Sequence, residues 1–166
     1  AQNRAKRVVA ARGEHCVRAM RFDDPPKWGQ LQVRFIEAEY DKEYVDQPPH
    51  TYCVVWLLEK VRWRRRKTKA RGRNAGENPM HPVWGGDAFV FEDVRDDSKL
   101  ALDVWNVRQG LEPLGDGDEF FGKVWLHIAE AVRKPLPAWH ELVPGRIQVL
   151  LTWTPYVGVD ADEYGE

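Results

Sequence analysis

The sequence predicts an all-β fold, an eight-stranded antiparallel β-sandwich, on three observations. Apolar segments of strand length recur along the chain, Gly, Pro and Asp interrupt it between them, and almost no stretch carries a helical period. Leu31, Val33 and Phe35 alternate with Gln30, Gln32 and Arg34, which is the period of a half-buried strand. Pro48-Pro49 precede the next run, Tyr52–Leu58. The basic segment that follows carries Trp63, Thr68 and Ala70 and is extended as well. Further strands are expected at Ala88–Phe91, Leu100–Trp105, Phe120–Ile128 and Ile147–Trp153, with one helical turn at Ala129–Arg133 stopped by Pro135 and Pro137. Phe35, Val54, Trp56, Trp84, Phe89, Phe91, Trp105 and Trp153 are the expected core.

A chain of 166 residues suits one domain with extensions. Residues 1–27 read as an N-terminal extension closed by Asp23-Asp24-Pro25-Pro26, with a short strand near His15–Met20. Residues 28–156 form the sandwich, and 157–166 are an acidic tail. The chain starts at Ala1 and not at Met, so it is expected to belong to a larger protein. No apolar run approaches the roughly 18 residues that span a bilayer. Cys16 and Cys53 make neither a disulfide framework nor a metal-ligand spacing and read as reduced thiols of a cytoplasmic protein.

Net charge is −1, but Lys60–Arg73 holds nine basic residues and no acid, which leaves 16 basic against 26 acidic residues elsewhere. Such a concentrated stripe points to a localised anionic partner. Catalysis is not expected. The histidines His15, His50, His81, His127 and His140 are scattered, and H-E-x-x-H, G-x-S-x-G, a phosphate loop and G-x-G-x-x-G are all missing. Gly115-Asp116-Gly117-Asp118-Glu119 reads as a turn.

The order of segments over residues 29–154 resembles a C2 domain. Gly29-Gln30-Leu31-Gln32-Val33 leading to Glu37-Ala38 is similar to the family's opening strand, and Tyr52-Cys53-Val54 and Lys67-Thr68-Lys69 to two later ones. Pro82 to Phe91, Leu100–Trp105, Asp118 to Gly122 and Gly145 to Trp153 resemble four further signatures, in the family's order. With the G-x-L-x-V strand first and the G-x-I…W strand last, the chain looks like the permuted form found in phospholipase C and novel protein kinase C.

The resemblance implies sites. Family aspartates that bind calcium fall at Asp46 (or Asp41), His50, Asn106, Arg108 and Asp118, so only two acids remain. A guanidinium within about 4 Å of a divalent ion costs about 8 kcal/mol at an effective dielectric near 20. No cofactor is therefore expected, and calcium binding is not. The Lys-Thr-Lys strand of the family contacts anionic headgroups, especially phosphoinositides. With Thr68 and Ala70 inward, strand alternation would point Arg65, Lys67, Lys69 and Arg71 outward together, beside Trp63, with Arg62, Arg64 and Arg66 on the opposite parity, on the connecting turn. Tyr44, Val45, Leu111 and Leu114 are the loop residues expected to meet a membrane interface. The expectation is a non-catalytic, calcium-independent module, peripheral at membranes, that docks on anionic phospholipid or phosphoinositide. The alternative is a protein-interaction or scaffolding domain, favoured if aromatics such as Trp63 and Tyr40 form an exposed patch. A nucleic-acid partner is not expected, given the acidic remainder of the chain.

Overall fold

The computed structural model describes residues 26–59, 63–85, 87–133 and 136–157. Its elements are β1 (Trp28–Tyr40), β2 (Thr51–Leu58), β3 (Trp63–Lys67), β4 (Ala88–Arg95), β5 (Lys99–Asn106), β6 (Glu119–His127), α1 (Ile128–Ala131), β7 (Ala138–Leu142) and β8 (Gly145–Pro155). They form two four-stranded antiparallel sheets, ordered β4-β1-β8-β7 and β3-β2-β5-β6. The strand expected near His15–Met20, Cys16 and most of the acidic tail lie outside the described residues.

Alternation in β1 buries Leu31, Val33 and Phe35 completely. A register shift against β8 between Phe35 and Glu37 then resets the parity, so that Ala38 and Tyr40 also face the core. First and last strands pair along most of their length, and Gly145 is required at the far end because a Cβ there would strike the Glu39 carbonyl. Val55 and Leu57 of β2, Leu100 and Leu102 of β5, and Ile147 and Val149 of β8 fill the space between the sheets.

The core differs from expectation in one respect. Phe35, Trp84 and Phe91 are buried between the sheets, and Phe89 and Trp153 pack half-buried at its margin. Val54, buried as expected, and the half-buried Trp56 and Trp105 have the opposite parity and cluster with Tyr52, Ala70 and Val107 on the outer face of the second sheet, not between the sheets. In a run as apolar as Tyr52–Leu58, hydrophobicity does not tell the two faces apart. Two further corrections concern β7 and Tyr40. The strand β7 was not expected, because Ala138–Leu142 mixes polar residues and follows Pro137; its pairing with β8 makes it a strand. Tyr40 is not an exposed aromatic: it is buried, 2.6 Å from Thr51 Oγ1. Among the described residues no helix is long and apolar enough to cross a membrane.

Candidate membrane-docking face

The outer face of β3-β2-β5-β6 is set by register. Lys67, Val54, Asp103 and Lys123 lie side by side across the four strands, and so do Arg65, Trp56, Ala101 and Trp125. Cations and large aromatics therefore share one outward surface. The Arg65 guanidinium lies 5.3 Å from the Trp56 ring, and the Lys123 ammonium 5.3 Å from that of Trp125. Trp63 meets Trp56 edge-on at 6.1 Å. Trp63, Phe120 and Trp125 are each about half exposed, at 49%, 50% and 54%. One acid interrupts the face. Asp103 accepts the Trp56 indole N–H at 3.2 Å and lies 3.6 Å from Lys123 Nζ; burial pushes its carboxyl up, while Lys123 and Trp56 pull it back.

The end of the basic segment departs from simple alternation. Thr68 pairs with Cys53: its N–H bonds the Cys53 carbonyl at 2.9 Å, and its hydroxyl accepts the Cys53 N–H at 2.9 Å. Arg71 next exchanges both backbone hydrogen bonds with Thr51. Tyr52 thus stands opposite two residues, Lys69 and Ala70, which is a bulge. The bulge shifts parity by one. Lys67 and Lys69 stay exposed, but Arg71 turns away half-buried with its guanidinium 3.7 Å from Glu77. The expectation that Arg65, Lys67, Lys69 and Arg71 project together is corrected to the first three.

Arg64 and Arg66 are not on a connecting turn. They belong to β3 and lie 5.7 and 5.6 Å from the Phe91 ring of β4. Arg64 also pairs with Glu59 at 2.7 Å and donates to the carbonyls of Glu92 and Asp93. They brace the edge between the sheets, while Arg62 lies outside the described residues.

The loops at the β1–β2 and β5–β6 end hold the positions aligned with calcium ligands. His50 is buried: Nδ1 accepts the Arg73 backbone N–H at 2.9 Å, so Nε2 carries the proton and donates to the Leu111 carbonyl at 3.0 Å. Burial, reinforced by Arg73, lowers its pKa. Asn106 accepts the His50 backbone N–H at 2.8 Å. Asp118 is also buried and accepts from the Tyr52 hydroxyl at 2.8 Å and from the N–H groups of Leu114, Gly115 and Arg108 at 2.9, 3.1 and 3.5 Å. Burial works to raise its pKa, but these hydrogen bonds outweigh that and hold it below the ordinary range. Desolvation and the Asp118 carboxylate push Tyr52 up to about 12. Asp46 and Arg108 are exposed. Three of the five positions thus hold the loops to the sandwich. Of the apolar loop residues, Tyr44, Leu111 and Leu114 are exposed, whereas Val45 packs half-buried against the core.

Sequence reasoning missed Lys123, Trp125 and Phe120. The signal was present, since Val124 and Leu126 alternate with Lys123 and Trp125, and strand alternation leaves the latter two outward when the apolar pair faces the core.

The architecture is a sandwich of two four-stranded antiparallel sheets. A family model, the C2 domain, matches residues 29–142, and the chain belongs to that family. C2 domains generally serve as non-catalytic membrane- or protein-interaction modules within larger proteins. Among curated proteins none matches the chain. Among solved structures, a C2 domain of plant Extended Synaptotagmin 1 is similar with a TM-score of 0.59 at 18% identity, over 79% of this chain and 98% of that one. Human GIVD cytosolic phospholipase A2 gives 0.59 at 22% identity over 81% of this chain. PLC21 of S. officinalis gives 0.59 at 18% identity over 86%. The chain spans only 17% and 18% of those two, respectively, and at these identities the likeness concerns the fold.

Proposed function

We propose that this domain docks on membranes rich in anionic phospholipid, including phosphoinositides, through the outer face of β3-β2-β5-β6 and without calcium. The observation that carries this reading is the sharing of one face by Arg65, Lys67 and Lys69 with the half-exposed Trp63 and Trp125. Three cations near an anionic surface contribute about 3 kcal/mol. That alone corresponds to weaker than millimolar affinity. Rings of Trp size bury about 150–250 Å² when covered, so the exposed halves of Trp63 and Trp125 add at most about 2–3 kcal/mol each. The total, about 9 kcal/mol as an upper bound, corresponds to binding of about micromolar or slightly tighter. Charge and aromatic surface are therefore both needed, and tryptophan suits the headgroup level.

Calcium independence rests on the loop end, where His50, Asn106 and Asp118 are already engaged by protein groups. The test is liposome co-sedimentation with varied phosphatidylserine and phosphoinositide content. Binding is expected to be unchanged between EDTA and calcium, and to fall steeply from low to physiological salt because exposed charges are screened within about 8 Å at 0.15 M.

A second reading, docking of a protein, draws on the same exposed aromatics Trp63, Phe120 and Trp125, since aromatic side chains are enriched at protein interfaces. It requires negligible sedimentation with anionic liposomes at every salt concentration.

A further inference from the structure

The opposite face of the sandwich carries a cluster to which the docking reading gives no part. Glu37 and Glu39 stand two residues apart on the outer side of β1, and His81 reaches them from the segment before β4. Their ligand atoms all lie within 4.8 Å of one another, and His81 Nε2 is 2.9 Å from Glu37 Oε2. The backbone fixes this placement. Ala38 N–H bonds the Pro82 carbonyl at 3.0 Å, Tyr40 N–H bonds that of Met80 at 2.9 Å, and Trp84 N–H bonds that of Ile36 at 2.8 Å. The segment is thus laced to β1 on both sides of His81.

We infer that Glu37, Glu39 and His81 form a binding site for a zinc-class divalent cation. An imidazole nitrogen with two carboxylate oxygens is a donor set of that class, whereas calcium takes oxygen ligands only. Tetrahedral zinc at about 2.0–2.1 Å from each donor needs the donors about 3.3 Å apart. The pair at 2.9 Å must open slightly and the third donor close in, which are rotamer adjustments on partly exposed side chains. Solvent would supply the fourth position. Arg146 bears on the site from the side: it gives two hydrogen bonds to Glu39 Oε2, at 3.0 and 2.8 Å, and its guanidinium lies 4.1 Å from the Trp139 ring. It occupies one oxygen of Glu39 and leaves Oε1 for the metal, in the manner of an outer partner that orients a ligating carboxylate. With two carboxylates and one guanidinium, the site carries one net negative charge before the cation arrives. It lies on the sheet away from the basic face and shares no residue with the loop end that aligns with calcium ligands.

The test is calorimetric titration of the EDTA-stripped chain with zinc, with calcium and magnesium run in parallel. One saturable zinc equivalent is expected, weakened about tenfold or more by His81→Ala and by Glu37→Gln and unchanged by His127→Ala. These side chains are partly exposed and contribute no core packing, so circular dichroism should show all variants folded. The inference is overturned if zinc shows no saturable binding, if the isotherm is the same in His81→Ala, or if calcium binds there as tightly as zinc.

Discussion

Replacing Asp118 with alanine tests whether the loop end is held by hydrogen bonds within the protein. The carboxylate accepts from the Tyr52 hydroxyl and from three backbone N–H groups, of which three contacts are at 3.1 Å or shorter. Hydrogen bonds to a charged group contribute about 1.5–3 kcal/mol each, and orphaned buried donors cost about 1–3 kcal/mol each. Deleting the carboxylate also removes the cost of burying its charge, so the net loss is set at about 3 kcal/mol. At roughly 3 °C per kcal/mol for a domain of this size, the melting temperature should fall by about 10 °C. Asp118→Asn keeps the shape and loses the charge, and should cost about 1–2 kcal/mol. The pH dependence has a definite sign. A carboxyl whose folded pKa is lowered gives stability that is present above its unfolded value near 4 and disappears as pH falls through the folded pKa. The asparagine variant should therefore unfold with a shallower acid limb. Thermal melts from pH 7 to pH 3 measure both effects. A loss below about 1 kcal/mol for Asp118→Ala, or an unchanged acid limb in Asp118→Asn, would show that these hydrogen bonds do not hold the loop end.

Millimolar calcium should leave the melting temperature nearly unchanged. Because a ligand at a hundred times its dissociation constant stabilises by about 2.7 kcal/mol, a rise of several degrees at 1 mM would contradict the calcium-independent reading. The buried, neutral His50 predicts a second pH effect. Its folded pKa is lowered, so stability should fall as pH drops from about 6.5 toward the folded value, and His50→Gln should flatten that decline. His140, also held low by burial, titrates in the same window, so the comparison is made in a His140→Ala background. Thr68→Ala should cost about 1–3 kcal/mol in chemical denaturation by orphaning the buried Cys53 N–H, and Thr68→Ser should recover most of it. Equal stability of the two variants would count against the bulge as described.

The fold was legible because its information is local. Alternation in Leu31–Phe35, the turn residues between strands and the ordered C2-like signatures sufficed to place the strands that carry them. Four features lay beyond that reading, each for a physical reason. The side of the sheet on which Trp56 and Trp105 pack follows from which parity of β2 faces β1 and β8, and a run apolar on both parities does not encode it. The turn of Arg71 away from the outward face was hidden because an inserted residue moves every later side chain to the other face, and the bulge at Lys69-Ala70 follows a threonine that bonds across to Cys53. The strand β7 draws its order from β8 and not from its own composition. The engagement of His50 and Asp118 was likewise invisible, since their partners Leu111, Arg73 and Tyr52 come from distant parts of the chain.

The most direct measurement is liposome binding by a protein in which Arg65, Lys67 and Lys69 are reversed to Glu. All three side chains are exposed and none fills the core, so the melting temperature should shift only modestly. Arg71 is left in place because of its contact with Glu77. The wild type should sediment with phosphoinositide-containing liposomes at low salt, and the reversed protein, equally folded, should not. Wild-type protein that stays in the supernatant at low salt, or a reversed protein that still sediments, would contradict docking through this face.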